Sequence, residues 1–195
     1  MGIRAVRKAV FLDRDGIITA LAWNPRTQAF ESPHSLADLK FVEENIPSLQ
    51  ALSRSDFYLF TVSNQPSYAK GKTSLESLLE IHEQTQAFLV QKGIIFQDYF
   101  YCHHHPGGVV PAYSGNCLCR KPNAYFIMDT CRRFGFSPSD CWMIGDQDTD
   151  VLCGQRAGVK TGLVEYPFSE NKRGQSRPDV RGKRLEDVVN RILNS

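Results

Sequence analysis

Two aspartates one residue apart, Asp13 and Asp15, stand in the segment Asp13-Arg14-Asp15-Gly16, directly after the apolar run KAVFL at residues 8–12. In an extended segment residues two apart point the same way, so both carboxylates can face one pocket. Three more polar groups also follow apolar runs or irregular stretches: Ser63-Asn64, Arg120-Lys121-Pro122, and Gly145-Asp146 with Asp148 and Asp150 behind it. Carboxylates, a hydroxyl and a cation brought together suit phosphoryl transfer. One carboxylate can attack phosphorus, and a neighbour can protonate the leaving oxygen and then activate water. Ser63 and Lys121 can hold the phosphoryl oxygens as charge spreads over them. Asp13 and Asp146 can hold Mg²⁺, a hard cation that prefers oxygen ligands. Taken singly, each feature has a plainer reading: Asp-Gly and Gly-Asp are turn dipeptides, Ser63 a turn hydroxyl or cap, and Lys121 a solvated lysine. Their joint placement argues for a site.

A second constellation lies between residues 102 and 121. Cys102 and His104 are separated by one residue, as are Cys117 and Cys119. Three thiols and an imidazole can close a tetrahedral Zn²⁺ site. His103 and His105 are rival ligands to His104. The plain alternative is a set of reduced thiols beside a polar histidine run. The segment is rich in Gly and Pro and poor in core residues, so something must order it. Cys131, Cys141 and Cys153 fall on helix or strand faces and read as core.

These groups need a scaffold, and strand and helix signals alternate along the chain. Strands are expected at residues 8–12, 57–62, 94–101, 141–144 and 159–164. Residues 24–35, with two prolines, read as loop. Pro47 suits the first turn of a helix continuing through Leu49 and Leu52. Thr73 and Glu76 have capping-box spacing before a helix over 74–92. Asn123 can cap a helix ended by Gly135, and a helix over 148–157 is closed by Gly158. A terminal helix over 184–193 places Leu185, Val188, Val189 and Ile192 on one face. Alternation of this kind predicts an α/β fold: a Rossmann-like, three-layer sandwich around a mainly parallel sheet. Ligands then bind at the carboxyl ends of the strands.

The 195 residues fit a single domain spanning 1–195. Lys and Arg number 23 against 21 for Asp and Glu, a formal net charge of +2. That balance gives no sign of a nucleic-acid or membrane partner. No apolar run approaches the roughly 20 residues of a membrane span. Asp13, Arg14 and Asp15 interrupt the apolar run after the basic start, which argues against a secretory signal. Val6 occupies the position where a myristoylation motif after Gly2 requires Ser or Thr. The expectation is a cytoplasmic monomer with reduced cysteines, acting on a small molecule.

FLDRDG, TVSNQ, CRKP and MIGDQDTD resemble, in order and spacing, the four signature motifs of the haloacid dehalogenase superfamily of phosphohydrolases. The resemblance covers about residues 8–164 and is greatest to the small branch without a large cap domain, which acts on heptose bisphosphate and histidinol phosphate. It implies that Asp13 is the nucleophile and a Mg²⁺ ligand. Asp15 would be the general acid/base, its backbone carbonyl also binding the metal, and Asp146 the third protein ligand. Ser63 and Lys121 would stabilise the transferring group. Asn64, Arg120 and Gln147 would face the substrate, Asp150 would orient Lys121 or a metal-bound water, and Asp148 would stay on the surface. The heptose enzymes carry Cys-x-His and Cys-x-Cys in this place, which implies a structural Zn²⁺ held by Cys102, His104, Cys117 and Cys119 in a loop insert, 102–121.

The sequence departs from that pattern in places. Ile17 replaces a common Thr, and residues 64–71 (NQPSYAKG) replace NQSGIARG. Gln147 replaces a substrate-touching Lys, and residues 20–39 match poorly. The implied activity is a Mg²⁺-dependent phosphomonoesterase working through an aspartyl-phosphate. Its leading substrate is D-glycero-D-manno-heptose 1,7-bisphosphate, with histidinol phosphate second. A nucleic-acid 3′-phosphatase is disfavoured by the balanced charge. A phosphoacceptor receiver is disfavoured by the order of motifs, since acids here also follow the fourth expected strand, after the Lys.

Overall fold

The run Lys8–Leu12 forms β1, an inner strand of a six-stranded sheet in the computed structural model, which describes residues 7–194. The chain's first six residues, with Gly2 and Val6, and Ser195 lie outside the described residues. The other strands of this sheet are β4 (Phe57–Asn64), β5 (Asp98–Cys102), β6 (Trp142–Gly145), β7 (Lys160–Val164) and β8 (Val180–Gly182). Their order is β5-β4-β1-β6-β7-β8, and every pairing is parallel. The helices are α1 (Ile46–Ser53), α2 (Leu75–Gln91), α3 (Tyr125–Phe134), α4 (Asp148–Ala157) and α5 (Leu185–Leu193).

Side chains alternate across β1, and each face has its own core. Val10 and Leu12 pack with Leu49 and Leu52 of α1, Leu89 of α2 and the Leu185, Val188, Val189 and Ile192 face of α5. Ala9 and Phe11 pack on the other side with Ile127 and Cys131 of α3 and Cys153 and Ala157 of α4. Burial on both faces explains why these strands read as unbroken apolar runs. Cys131, Cys141 and Cys153 are core, as expected.

The chain builds β4 and β5 on one side of β1, then returns to place β6 on the other. That reversal opens a crevice at the carboxyl ends of β1, β4 and β6.

The structure departs from the sequence expectations at several points. Residues 24–35 are not all loop: β2 (Ala22–Asn24) and β3 (Ala29–Glu31) pair as an antiparallel hairpin. Pro25 and Pro33 fall outside its paired residues, so neither breaks the ladder, and Trp23 packs on Phe30 at 5.2 Å between ring centroids. Ser74, rather than Thr73, caps α2 by accepting the Ser77 N–H; Thr73 donates to the His34 carbonyl instead. Strand β5 begins only at Asp98, because Ile94 N–H closes back on Leu89 and Gln97 N–H bonds Leu59. Asn123 does not cap α3; its amide donates to the Cys117 carbonyl. Strand β8 is three residues long, too short to leave a pattern. No helix among the described residues is long and apolar enough to cross a membrane.

Candidate active site

Asp13 stays in register with the sheet for one residue beyond β1, its N–H bonding the Ile144 carbonyl at 2.9 Å. The chain then turns tightly, and the Arg14 carbonyl accepts N–H groups from Ile17, Ile18 and Thr19. The turn needs Gly16 at φ +89°, where a Cβ would lie 2.5 Å from Asp146 Oδ2. A side chain there would enter the space beside the Asp146 carboxylate.

Lys121 reaches the same point from the segment before α3. Its backbone is clamped by Asn64, which ends β4: Asn64 Nδ2 donates to the Lys121 carbonyl at 3.1 Å, and Asn64 Oδ1 accepts the Lys121 N–H at 2.9 Å. The ammonium donates to the Val62 carbonyl at 2.7 Å and pairs with Asp13 Oδ1 at 3.0 Å and Asp150 Oδ1 at 2.7 Å. Burial alone would lower the Lys121 pKa; Asp13 and Asp150 outweigh it and hold the group charged. Asp150, on the first turn of α4, also accepts the Gln147 N–H through Oδ2 at 3.0 Å. Burial, opposed by Lys121, pushes its carboxyl up to about 6.

Asp15 is bound on both oxygens. Arg14 Nε and Thr19 Oγ1 donate to Oδ1 at 2.9 and 2.7 Å, while Gln65 Nε2 donates to Oδ2 at 2.7 Å. Burial would raise its pKa, but Arg14 outweighs that and holds the carboxyl below its ordinary range. Gln65 also donates to Ser63 Oγ at 3.0 Å and accepts from Arg14 at 2.7 Å.

Asp146 is different. It is 0 % exposed, and neither carboxylate oxygen has a hydrogen-bond partner. Burial first, then Asp150 and Asp13, push its pKa well above the usual range. Four buried carboxyls, those of Asp13, Asp15, Asp146 and Asp150, thus share two buried cations, Arg14 and Lys121. Oxygens of Asp13, Asp146 and Asp150 lie within 4.8 Å of one another. Orphaned oxygens and an excess of negative charge fit a hard divalent cation. Because both Asp150 oxygens are already engaged, Asp13 and Asp146 are the better ligands.

A cavity of about 250 Å³ opens over these groups, lined in part by Asp13, Asp15, Asn64, Arg120, Lys121 and Gln147. Ser63 is not among its lining residues and sits beneath, bonded to Gln65. A larger hollow of about 700 Å³ lies at the amino ends of the strands, beside Lys8 and Phe57, away from these acids.

Cys102 ends β5, and the loop beyond it returns Cys117 and Cys119 to the same place. The three sulfurs lie 3.1–3.5 Å apart, and His104 Nδ1 is 3.6 Å from Cys119 Sγ and 4.0 Å from Cys102 Sγ. Tetrahedral Zn²⁺ with bonds of about 2.3 Å to sulfur separates its thiolates by somewhat under 4 Å, so the donor set fits. The rivals are engaged elsewhere: His103 Nδ1 lies 3.2 Å from the Gln65 carbonyl oxygen, and His105 Nδ1 accepts the Gly107 N–H at 3.0 Å. Cys119 is joined directly to Arg120, whose guanidinium donates to the His104 carbonyl at 3.2 Å.

Arg14 and Gln65 sit inside the quoted motifs, yet residue type and spacing gave neither a role. In a straight strand Arg14 would point away from its neighbours; the turn at Gly16 folds it back onto Asp15. Asp148 is not merely a surface residue, since it accepts the N–H groups of Gly174, Gln175 and Ser176. Lys70 and Lys172 also line the cavity, and neither lies in a motif that marked it.

The chain is similar to several known proteins. A HAD-hydrolase-like family model matches residues 118–189. The chain is 30% identical over 185 residues to the D-glycero-beta-D-manno-heptose-1,7-bisphosphate 7-phosphatase of Haemophilus ducreyi, covering 94% of this chain and 97% of the relative. It is 29% identical over 169 residues to the corresponding alpha-heptose enzyme of Photorhabdus laumondii, covering 84% and 86%. Among solved structures, the D,D-heptose 1,7-bisphosphate phosphatase of B. bronchiseptica, complexed with magnesium and phosphate, superposes with a TM-score of 0.79 at 22% identity, covering 97% of this chain and 99% of that one. That last likeness is one of fold.

Proposed function

The chain belongs to the haloacid dehalogenase superfamily of phosphatases, and on that premise we propose that it is a phosphomonoesterase removing the 7-phosphate of D-glycero-D-manno-heptose 1,7-bisphosphate. The observation that carries this reading is the buried Asp146 carboxylate, orphaned on both oxygens beside Asp13 and Lys121 at the carboxyl ends of the strands.

Asp13, Asp146 and the backbone carbonyl of Asp15 would hold Mg²⁺. The ion, when bound, neutralises phosphoryl charge and fixes the phosphate for in-line attack. Asp13 then supplies the nucleophile. Its carboxylate oxygen bonds to phosphorus as the bond to the sugar oxygen breaks, giving an aspartyl-phosphate. Asp15 delivers a proton to the departing oxygen and takes one back from the water that releases inorganic phosphate. Resting Asp15 is ionised beside Arg14; a phosphate dianion entering next to it raises its proton affinity, as like charges do. Lys121 meets the charge on the phosphoryl oxygens. Ser63 supports this group from beneath through Gln65, and Asn64 holds the Lys121 backbone while lining the cavity.

The loop around Cys102, His104, Cys117 and Cys119 would bind Zn²⁺ structurally, a closed site that fixes Arg120 and Lys121. Arg120 and Gln147 would face the sugar. All six cysteines are unbridged, which suits a reducing compartment such as the cytoplasm.

The test is phosphate release with Mg²⁺ over heptose 1,7-bisphosphates of both anomers, other sugar phosphates, histidinol phosphate and a 3′-phosphorylated oligonucleotide, with Asp13→Asn as control. Fast hydrolysis of a heptose bisphosphate by the wild type alone supports the reading. Preference for histidinol phosphate would replace the substrate, and no release above Asp13→Asn on any compound would reject it.

A further inference from the structure

Gln147 leaves the mouth of the cavity without a charge where the family resemblance places a lysine. Three cations line that cavity beyond the buried cluster: Lys70, Arg120 and Lys172. None of the three has an acidic partner within 4.0 Å among the described residues. Burial first, then Lys72, Arg120 and Lys172, lower the Lys70 pKa against the opposing pull of Glu31. Like charges left unpaired around a cavity are stabilised when an anion enters.

A second chamber, about 260 Å³, adjoins the first and shares Ser32, Pro66, Lys70 and Lys172 with it. Its lining also includes Phe30 and Glu31 of the β2–β3 hairpin and Lys72, whose ammonium pairs with the Glu31 carboxylate at 2.6 Å and leaves Lys70 and Lys172 as the free cations there among the described residues. Lys70 and Lys172 therefore stand on the boundary between the chamber over Asp13 and a further one.

Lys172 sits on a segment tied down on several sides. Ser169, fully buried, donates to the Asp146 carbonyl at 3.3 Å. Arg173 donates to the Tyr166 carbonyl at 2.6 Å and to Ser169 Oγ at 3.0 Å. Asp148 accepts the three N–H groups just beyond. Phe168 stacks on Phe30 at 4.2 Å between ring centroids. An exposed lysine on a braced backbone loses little freedom beyond its own side chain when it grips an anion.

We propose that Lys172, with Lys70, receives the second anionic group of the substrate in the adjoining chamber and supplies the cation that Gln147 lacks. The assignment rests on the bisphosphatase reading above. It makes Lys172 a specificity-determining residue outside the four motifs, in the segment after β7. The chemical class selected is a sugar carrying a second phosphate at a distance from the scissile one.

The experiment compares KM and kcat for heptose 1,7-bisphosphate and heptose 7-phosphate in wild type, Lys172→Gln, the Lys70→Gln/Lys172→Gln pair, and Lys183→Gln as an exposed control away from the cavity. A charge-assisted contact of this kind is worth about 10-fold to 100-fold. Lys172→Gln is expected to raise the ratio of the bisphosphate KM to the monophosphate KM about 10-fold, the pair to raise it further, and kcat on the bisphosphate to change less than about threefold. Calorimetric binding of both sugars in an Asp13→Asn background should give the same ratio without turnover. If wild type hydrolyses the bisphosphate and Lys172→Gln weakens both sugars alike, or neither, the Lys172 assignment is overturned while the phosphatase reading stands. If wild type hydrolyses neither sugar, both fall.

Discussion

The Lys121 ammonium lies 3.0 Å from Asp13 Oδ1, with both side chains shielded from solvent. The pair sets a cation beside the proposed nucleophile, where phosphoryl charge would develop. Asp150, 2.7 Å from the same ammonium, fixes its position from the opposite side. Replacing Lys121 with Ala should lower kcat about 10²–10³-fold, the usual cost of losing one preorganised charge. It should also destabilise the fold by about 3–5 kcal/mol, because Asp13 and Asp150 would remain buried without their counter-charge. Asp150→Asn should cost less in both respects. Phosphate release and urea unfolding measure the two effects, and a folded Lys121→Ala enzyme within threefold of wild-type kcat would remove the lysine from the chemistry.

Asp146→Asn separates metal binding from folding. The buried carboxylate crowds Asp13 and Asp150 without a hydrogen-bond partner, so neutralising it should relieve repulsion. The metal-free variant is expected to melt several degrees above metal-free wild type. Adding Mg²⁺ should raise the wild-type melting temperature by mass action and leave the variant unmoved. Equal Mg²⁺ shifts in both proteins would place the cation elsewhere.

Cys117→Ser tests the thiol cluster. Wild-type protein purified without chelator should contain one zinc per chain, and the variant much less. Losing a residue that merely orients a metal ligand commonly costs about 10–100-fold in affinity, and losing a ligand should cost at least as much. Since Cys119 adjoins Arg120, activity should fall with the zinc although no cluster residue lines the cavity over Asp13. Full activity in zinc-free protein would separate the cluster from the site.

Glu31 gives a pH signature for the hairpin. Lys72 Nζ contacts its two oxygens at 2.6 and 2.7 Å, and Thr27 and Asn24 also donate to it. Burial would raise its pKa, but these bonds hold it down at about 2. A folded pKa below the unfolded one contributes stability that is full above about pH 4.5 and disappears as pH falls toward 2. The pair is solvent-accessible, so the contribution is about 1 kcal/mol at most. Urea midpoints of wild type and Glu31→Gln should differ at pH 7 and converge as pH falls from about 4.5 toward 2; a gap independent of pH would contradict the assignment.

Much of the fold was legible because its determinants are local. Strands buried on both faces must be apolar runs, and Gly135 and Gly158 must end α3 and α4 because both adopt the left-handed conformation there. The hairpin at residues 22–31 was hidden because its prolines mimic a loop while lying outside the pairing. Strand β8 was hidden because three residues carry no period. Ser74 displaced Thr73 as the cap of α2 because Thr73 had a distant partner, the His34 carbonyl.

The sequence by itself determined which chemistry was available: Asp13, Asp15, Ser63 and Asp146 at strand ends, Lys121 shortly before a helix, and a three-thiol, one-imidazole donor set. Residue type and strand spacing suffice for that, because a parallel sheet carries every strand end to one edge. Only the tertiary structure decided how those groups are used. It turned Arg14 back onto Asp15, committed both Asp150 oxygens, left those of Asp146 without partners, chose His104 over its neighbours, and brought Lys172 to the cavity. Each of these depends on contacts between residues far apart in the chain, and those distances are set by packing rather than by any local pattern.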